Sequence, residues 1–197
     1  MGNLASVAKA LERVGAEVWL ARDPAAVDRA AAVVLPGVGA FRDAMARLDD
    51  TGLADAVVRR IAAGVPFLGV CLGLQLLFES SGEGGRLPGL GVLKGTVERL
   101  PTTLKVPQIG WNELEWRPAG AGMAAGLPAP AYVYFVHSYA ARPADEGLVA
   151  AVTDYGGEVV AAVARENVWA VQFHPEKSSH TGLRLLTSFI AAARLPD

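Results

Sequence analysis

The sequence predicts an α/β fold: a largely parallel sheet with helices on both faces, plus a smaller antiparallel or mixed addition. Two observations lead there. The first half alternates amphipathic, helix-like segments with continuous apolar runs, and a run that is polar nowhere fits a strand covered on both sides. The second half breaks into short strand-like pieces punctuated by Pro101, Pro107 and Pro118, the pattern of an antiparallel or mixed sheet.

The elements follow in order. Residues 6–14 carry Val7, Ala10, Leu11 and Val14 near a period of 3.6 and predict a helix that stops at Gly15. Glu17-Val18-Trp19-Leu20 predicts a short strand. Residues 31–35 form an apolar run closed by Pro36 and Gly37, a buried strand. Residues 41–63 predict helix, interrupted at Thr51-Gly52. Residues 65–70 predict the third strand, and residues 72–78 the helix after it. Short strand pieces follow at 90–94, 96–100 and 106–111, and longer ones at 131–138, 158–166 and 168–173. Residues 181–193 predict a closing amphipathic helix. Gly82-Glu83-Gly84-Gly85 reads as a loop, with nothing in it to cradle a phosphate.

Composition narrows the function. The 197 residues suggest one domain over 1–197, and 52% hydrophobic with 19% charged residues excludes intrinsic disorder. A net charge of -2 without a basic run argues against nucleic acid or an anionic membrane surface as partner. No apolar run reaches the roughly 18 residues that span a bilayer. Met1-Gly2-Asn3-Leu4 lacks the charged and apolar regions of a signal peptide, so a cytoplasmic protein is expected. The single cysteine, Cys71, rules out a disulfide framework and a cysteine-based zinc finger. His137, His174 and His180 lie in unrelated contexts, which argues against a three-histidine metal site; no metal or cofactor is expected.

That one thiol sits where chemistry is expected. In Gly69-Val70-Cys71-Leu72-Gly73 it falls at a strand-to-helix turn with glycines two positions to either side. This is the layout of a nucleophile elbow: a sharp turn strains the nucleophile's backbone, and the glycines make room for it. The following helix's N-terminus favours thiolate, and the Leu72 amide is placed to donate to an oxyanion. A buried structural cysteine is the alternative reading; the paired glycines weigh against it. A thiol nucleophile needs a base. His174 follows a strand ending at Phe173, Pro175 stiffens the chain there, and Glu176 is placed to orient the imidazole, so Cys71, His174 and Glu176 make a candidate triad. His137, in an aromatic strand, reads as packed or substrate-lining, and His180, at a helix start, as exposed. Gly37-Val38-Gly39 would supply a second oxyanion donor, with an ordinary Pro-Gly turn as the equal alternative.

Four segments together resemble the class I glutamine amidotransferases: GVCLGLQLLFESS at 69–81, VPQIGWN at 106–112, YFVHSYA at 134–140 and QFHPEKSSHTGLRLL at 172–186. The elbow and the His-Pro-Glu belong to the family at large. The other segments are similar to its branch of glutaminase subunits of imidazole glycerol phosphate synthase. The resemblance runs in order along essentially the whole chain, and it implies a flavodoxin-like, three-layer fold. It implies hydrolysis of L-glutamine to glutamate and ammonia through a thioester on Cys71, with His174 moving the proton and Glu176 orienting it. It implies an oxyanion held by the Leu72 amide and a peptide of Gly37, Val38 and Gly39. Gln75, His137, Ser138 and Tyr139 would line the glutamine site. The implied partner is a (β/α)8-barrel cyclase in a heterodimer, faced by Asn3, Trp111 and Lys177. The cyclase would use the ammonia to make imidazole glycerol phosphate and aminoimidazole carboxamide ribonucleotide in histidine biosynthesis. A dry route between the two sites is expected, because ammonia in neutral water is almost wholly ammonium. The site would stay incomplete, through its oxyanion peptide, until the partner binds its ligand.

Two departures stand out. The family usually opens with an apolar strand and a Tyr-Gly-x-Gly-Asn-Leu turn, whereas this sequence opens inside that turn at Met1-Gly2-Asn3-Leu4. Without a central strand the 197-residue form is expected to fold poorly and the native protein to be longer. Gln108 stands where relatives often carry a more basic residue. Competing readings are a glutaminase serving another synthase, a stand-alone thiol amidohydrolase, and a non-catalytic binding subunit.

Overall fold

Uninterrupted apolar runs become the centre of a three-layer molecule. The computed structural model describes residues 2–194, with side chains from residue 4 onward. In chain order the helices and strands are α1 (Gly2–Arg13), α2 (Pro24–Asp28), β1 (Val33–Gly37), α3 (Phe41–Asp50), α4 (Leu53–Ala62), β2 (Phe67–Cys71), α5 (Leu72–Gln75), β3 (Phe78–Ser81), β4 (Leu87–Pro88), β5 (Leu93–Arg99), β6 (Gln108–Glu113), β7 (Glu115–Trp116), α6 (Ala121–Ala124), β8 (Tyr132–His137), β9 (Tyr139–Pro143), β10 (Val149–Asp154), β11 (Glu158–Arg165), β12 (Val168–Val171) and α7 (Ser179–Arg194).

The main sheet has the order β1-β2-β12-β11-β10-β7. The β1, β2 and β12 strands run parallel, and the remaining three continue antiparallel. A second sheet, β4-β3-β5-β9, is mixed, with β3 and β5 parallel, and with a separate antiparallel β6-β8 pair it forms the expected antiparallel or mixed addition. Alternation along β12 divides the core: Trp169 and Val171 face one cluster with Leu185, Leu186 and Phe189 of α7 and Val7 and Leu11 of α1. Val168 and Ala170 face the other, with Val57 and Ile61 of α4. Two-sided burial is why these strands carry no polar alternation.

Four expectations need correction. Residues 17–20 form no strand. They pair with no strand among the described residues: Val18 packs against the core cluster that holds Val7 and Leu11, and this contact takes the place of a ladder while Trp19 and Leu20 stay 52% and 55% exposed. The helix expected over 72–78 ends at Gln75, because the chain from Phe78 is drawn into the ladder with β5, where Phe78 lies opposite Leu93. Tertiary pairing overrides local helix propensity there. Of the pieces expected at 90–94 and 96–100, residues 93–99 form one strand, β5, turned at Gly95, whose φ of 125° suits glycine, and residues 90–92 and 100 lie outside it. Strands β9 and β10 were not expected at all.

Candidate active site

The β2 strand delivers Cys71 to the C-terminal end of the parallel sheet, next to Gly37 of β1, which lies opposite it in register. Cys71 has φ 56° and ψ -109°, a conformation that costs a non-glycine residue of order 1–3 kcal/mol and persists only where the surroundings impose it. The flanking glycines do so. A Cβ on Gly69 would stand 2.8 Å from the Gly73 carbonyl oxygen, and one on Gly73 would run into the Leu35 carbonyl. The turn closes only because both side chains are absent. The α5 helix that follows has a single turn, so its dipole is a weaker aid to a thiolate than a full helix would supply.

The sulfur is buried, and its neighbours come from far along the chain. The Val136 carbonyl of β8 lies 4.0 Å away and the Gln172 carboxamide nitrogen 3.7 Å away. His174 is fixed from several directions. Its N–H donates to the Tyr134 carbonyl at 2.9 Å, and its carbonyl accepts from the Ser178 hydroxyl at 2.7 Å. The same hydroxyl oxygen accepts the Tyr134 N–H at 2.9 Å. Its ring Nδ1 faces Glu176 Oε1 at 2.8 Å, with both side chains buried. Burial alone would lower the basicity of this imidazole. Hydrogen bonding and charge from Cys71 and Glu176 overcome it and push the pKa up to about 9. Nε2 is buried without a hydrogen bond of full geometry among the described residues, though the Cys71 thiol lies near enough to act on the ring.

A second polar chain runs behind the sulfur. Gln75 donates from Nε2 to the Tyr139 carbonyl and to Gln172 Oε1, each at 3.0 Å. His137 reaches the same Tyr139 carbonyl with Nδ1 at 2.8 Å, and its Nε2 meets the Gln108 carboxamide at 3.0 Å. Burial pushes the pKa of His137 down to about 4; its bond to Tyr139 opposes the shift and the charge of His174 adds to it. Gln108 is fully buried between His137 and Asn112, an amide link in this chain.

The structure therefore brings Cys71, His174, Glu176, Leu72, Gln75 and the 37–39 segment to one end of the sheet. Val38 is exposed, and Gly39 has φ 93°. Tyr139 offers its carbonyl to this region while its ring packs on the opposite core cluster, and the Ser138 carbonyl is taken by the Leu100 N–H. His180 is exposed on α7, where its Nε2 accepts from Arg184 Nε at 3.5 Å. Sequence reasoning missed Gln172, Ser178 and Gly182. A Cβ on Gly182 would strike the Pro175 carbonyl, so this glycine lets α7 pack against the turn that carries His174 and Glu176. The signal was the Ser178-to-Gly182 stretch, read only as a family segment. Among the described residues no three His, Cys, Asp or Glu side chains are placed to hold a metal ion.

A family model for class-I glutamine amidotransferases matches residues 2–192. The chain belongs to the class I glutamine amidotransferase family. Imidazole glycerol phosphate synthase subunit HisH of Aquifex aeolicus is 52% identical over 190 residues, covering 96% of this chain and 91% of that protein. The HisH subunit of Moorella thermoacetica is 50% identical over 189 residues, covering 96% and 90%. The fold is similar to a glutamine amidotransferase of known crystal structure, with a TM-score of 0.77 at 26% identity over 98% of this chain and 95% of that one. It is also similar in fold to a chain of the PurLQS assembly from Thermotoga maritima, with a TM-score of 0.73 at 18% identity over 96% and 92%.

In this amidotransferase the residues expected at a partner surface are partly gathered. Trp111 is 51% exposed on β6 and meets the Tyr134 ring edge-on at 6.1 Å between centroids. Lys177 Nζ lies 5.9 Å from the centre of the same ring. Alternation along β6 turns Ile109 and Trp111 outward. The side chain of Asn3 lies outside the described residues. No helix of the described residues is long and apolar enough to cross a membrane.

Proposed function

We propose that the chain is the glutaminase subunit of an imidazole glycerol phosphate synthase, releasing ammonia from glutamine for a (β/α)8-barrel cyclase partner. One observation carries the reading: a strained, buried Cys71 beside an imidazole whose other nitrogen is clamped to a buried carboxylate. About 50% identity to HisH subunits along nearly the whole chain supports the choice of synthase.

The chemistry follows from the protons. With its pKa raised to about 9, His174 is an imidazolium at neutral pH. The sulfur of Cys71 attacks the side-chain carbonyl carbon of glutamine, and the Leu72 N–H, with a peptide of the 37–39 segment, holds the oxyanion. His174 Nε2–H passes its proton to the departing nitrogen as the C–N bond breaks, and ammonia leaves. The now neutral His174 takes a proton from water, whose oxygen attacks the thioester. Glutamate departs, and the thiolate and imidazolium are restored. Glu176 keeps the Nδ1 proton in place through both steps. Trp111, Tyr134 and Lys177 present the surface for the cyclase beside this turn.

Ammonia release from glutamine is the test, measured with and without the barrel cyclase and its ribonucleotide. We expect a rise of at least tenfold on adding both, and loss of all release in Cys71→Ala. Glutamine-dependent product formation by Cys71→Ala would overturn the thiol mechanism. A release rate indifferent to the cyclase would overturn the assignment to this synthase.

A further inference from the structure

We propose that Gln172 is a positioning residue for the thiol: its carboxamide N–H, aimed by Gln75, donates to Cys71 Sγ and favours the anionic sulfur. This rests on the reading of Cys71 as the nucleophile.

Gln172 is completely buried, between Val171 and Phe173, which are also buried. A carboxamide there is unfavourable relative to an apolar side chain unless it is hydrogen-bonded at both ends. It is: Oε1 accepts from Gln75 at 3.0 Å, and Nε2 reaches the sulfur at 3.7 Å, a distance at which sulfur serves as acceptor.

The direction of the bonds follows from one anchor. The Tyr139 carbonyl can only accept. Gln75, 3.0 Å from it, must therefore present its nitrogen there. The second N–H of that nitrogen points to Gln172, whose oxygen must accept it, and this leaves the Gln172 nitrogen facing Cys71. His137 Nδ1–H, 2.8 Å from the same carbonyl, holds the anchor in place. Reversing the Gln172 carboxamide would set two donors against each other at Gln75.

A thiolate accepts such a bond more strongly than a thiol, because one partner is charged. The donor also stands where help is needed, since α5 is a single turn. His174, with Glu176 behind it, and His137 beyond Gln75 are the titratable groups about the sulfur, and the variants below leave all three in place.

The test uses the full chain. Cys71 is its only cysteine, so alkylation by iodoacetamide reads that sulfur alone. In Gln172→Leu the midpoint of the alkylation rate against pH is expected to move up by about one unit, and alkylation at pH 7 to slow by roughly tenfold. With the cyclase present, kcat is expected to fall about tenfold while KM stays within about twofold. Gln75→Met, which leaves Gln172 in place without its aim, is expected to shift the profile the same way by less. A profile that superimposes on the wild type in both variants overturns the proposal, whatever happens to the melting temperature. If instead wild-type chain alkylated at Cys71 still hydrolyses glutamine, it is the nucleophile assignment that fails.

Discussion

The two sides of β1 are built on different terms. On its inner side β1 pairs with β2, and Gly37 stands opposite Cys71. There, groups from β2, β8, β9 and the turn after β12 converge, and the polar side chains behind the sulfur are aimed by named partners. The other edge of β1 is joined by no described strand, and in the segment that precedes it Trp19 and Leu20 are exposed. The difference teaches where precision comes from. A site is held where segments distant in sequence satisfy one another's donors and acceptors, and a strand-like segment that joins no ladder leaves large apolar side chains exposed.

Breaking the inner side should have the largest effect. Glu176→Gln keeps the shape but removes the charge that holds the His174 proton, and kcat for ammonia release should fall by roughly 10^3-fold. Stability should respond to pH in a readable way. The folded His174 pKa of about 9 lies above the ordinary 6.5, so this group's stabilisation is complete below about pH 6.5 and is lost as pH rises through about 9. Urea melts across that window should slope downward in the wild type and flatten in Glu176→Gln. His137 acts in a separate window. Its folded value of about 4 lies below 6.5, so it opposes folding below about pH 4 and ceases to do so above about 6.5.

Next in size is packing beneath the same turn. Phe173 is fully buried, edge-on to Phe135 with ring centroids 5.8 Å apart. Phe173→Ala should cost about 3–5 kcal/mol in chemical denaturation and carry the histidine turn with it. Smaller is the surface beside it. Trp111→Ala should weaken cyclase binding by about 1–2 kcal/mol in calorimetry and leave the melting temperature unchanged within about 1 °C. Smallest is the outer edge, where Leu20→Lys should change stability by no more than about 0.5 kcal/mol. A large loss there would mean that this edge is packed against something in solution, and the comparison would have to be redrawn.

Much was legible beforehand because it is written locally. Apolar runs mark strands buried on both faces, and their burial does not depend on which neighbours supply it. Glycines two residues from Cys71 mark a turn that no side chain would permit, and Pro175 with Glu176 marks a stiff loop beside a histidine. Those signals sit within about five residues of one another, so the sequence alone determined the parallel core, the elbow and the three residues of the candidate triad. The tertiary structure decided what depends on partners far along the chain. Residues 17–20 have strand composition but no ladder, and residues 76–78 leave a helix for one. Gln172 looks like any polar residue near a strand end until Gln75, 97 positions earlier, is seen to orient it. Hydrogen-bond direction is a property of pairs, and the pairs are made only when the chain closes on itself.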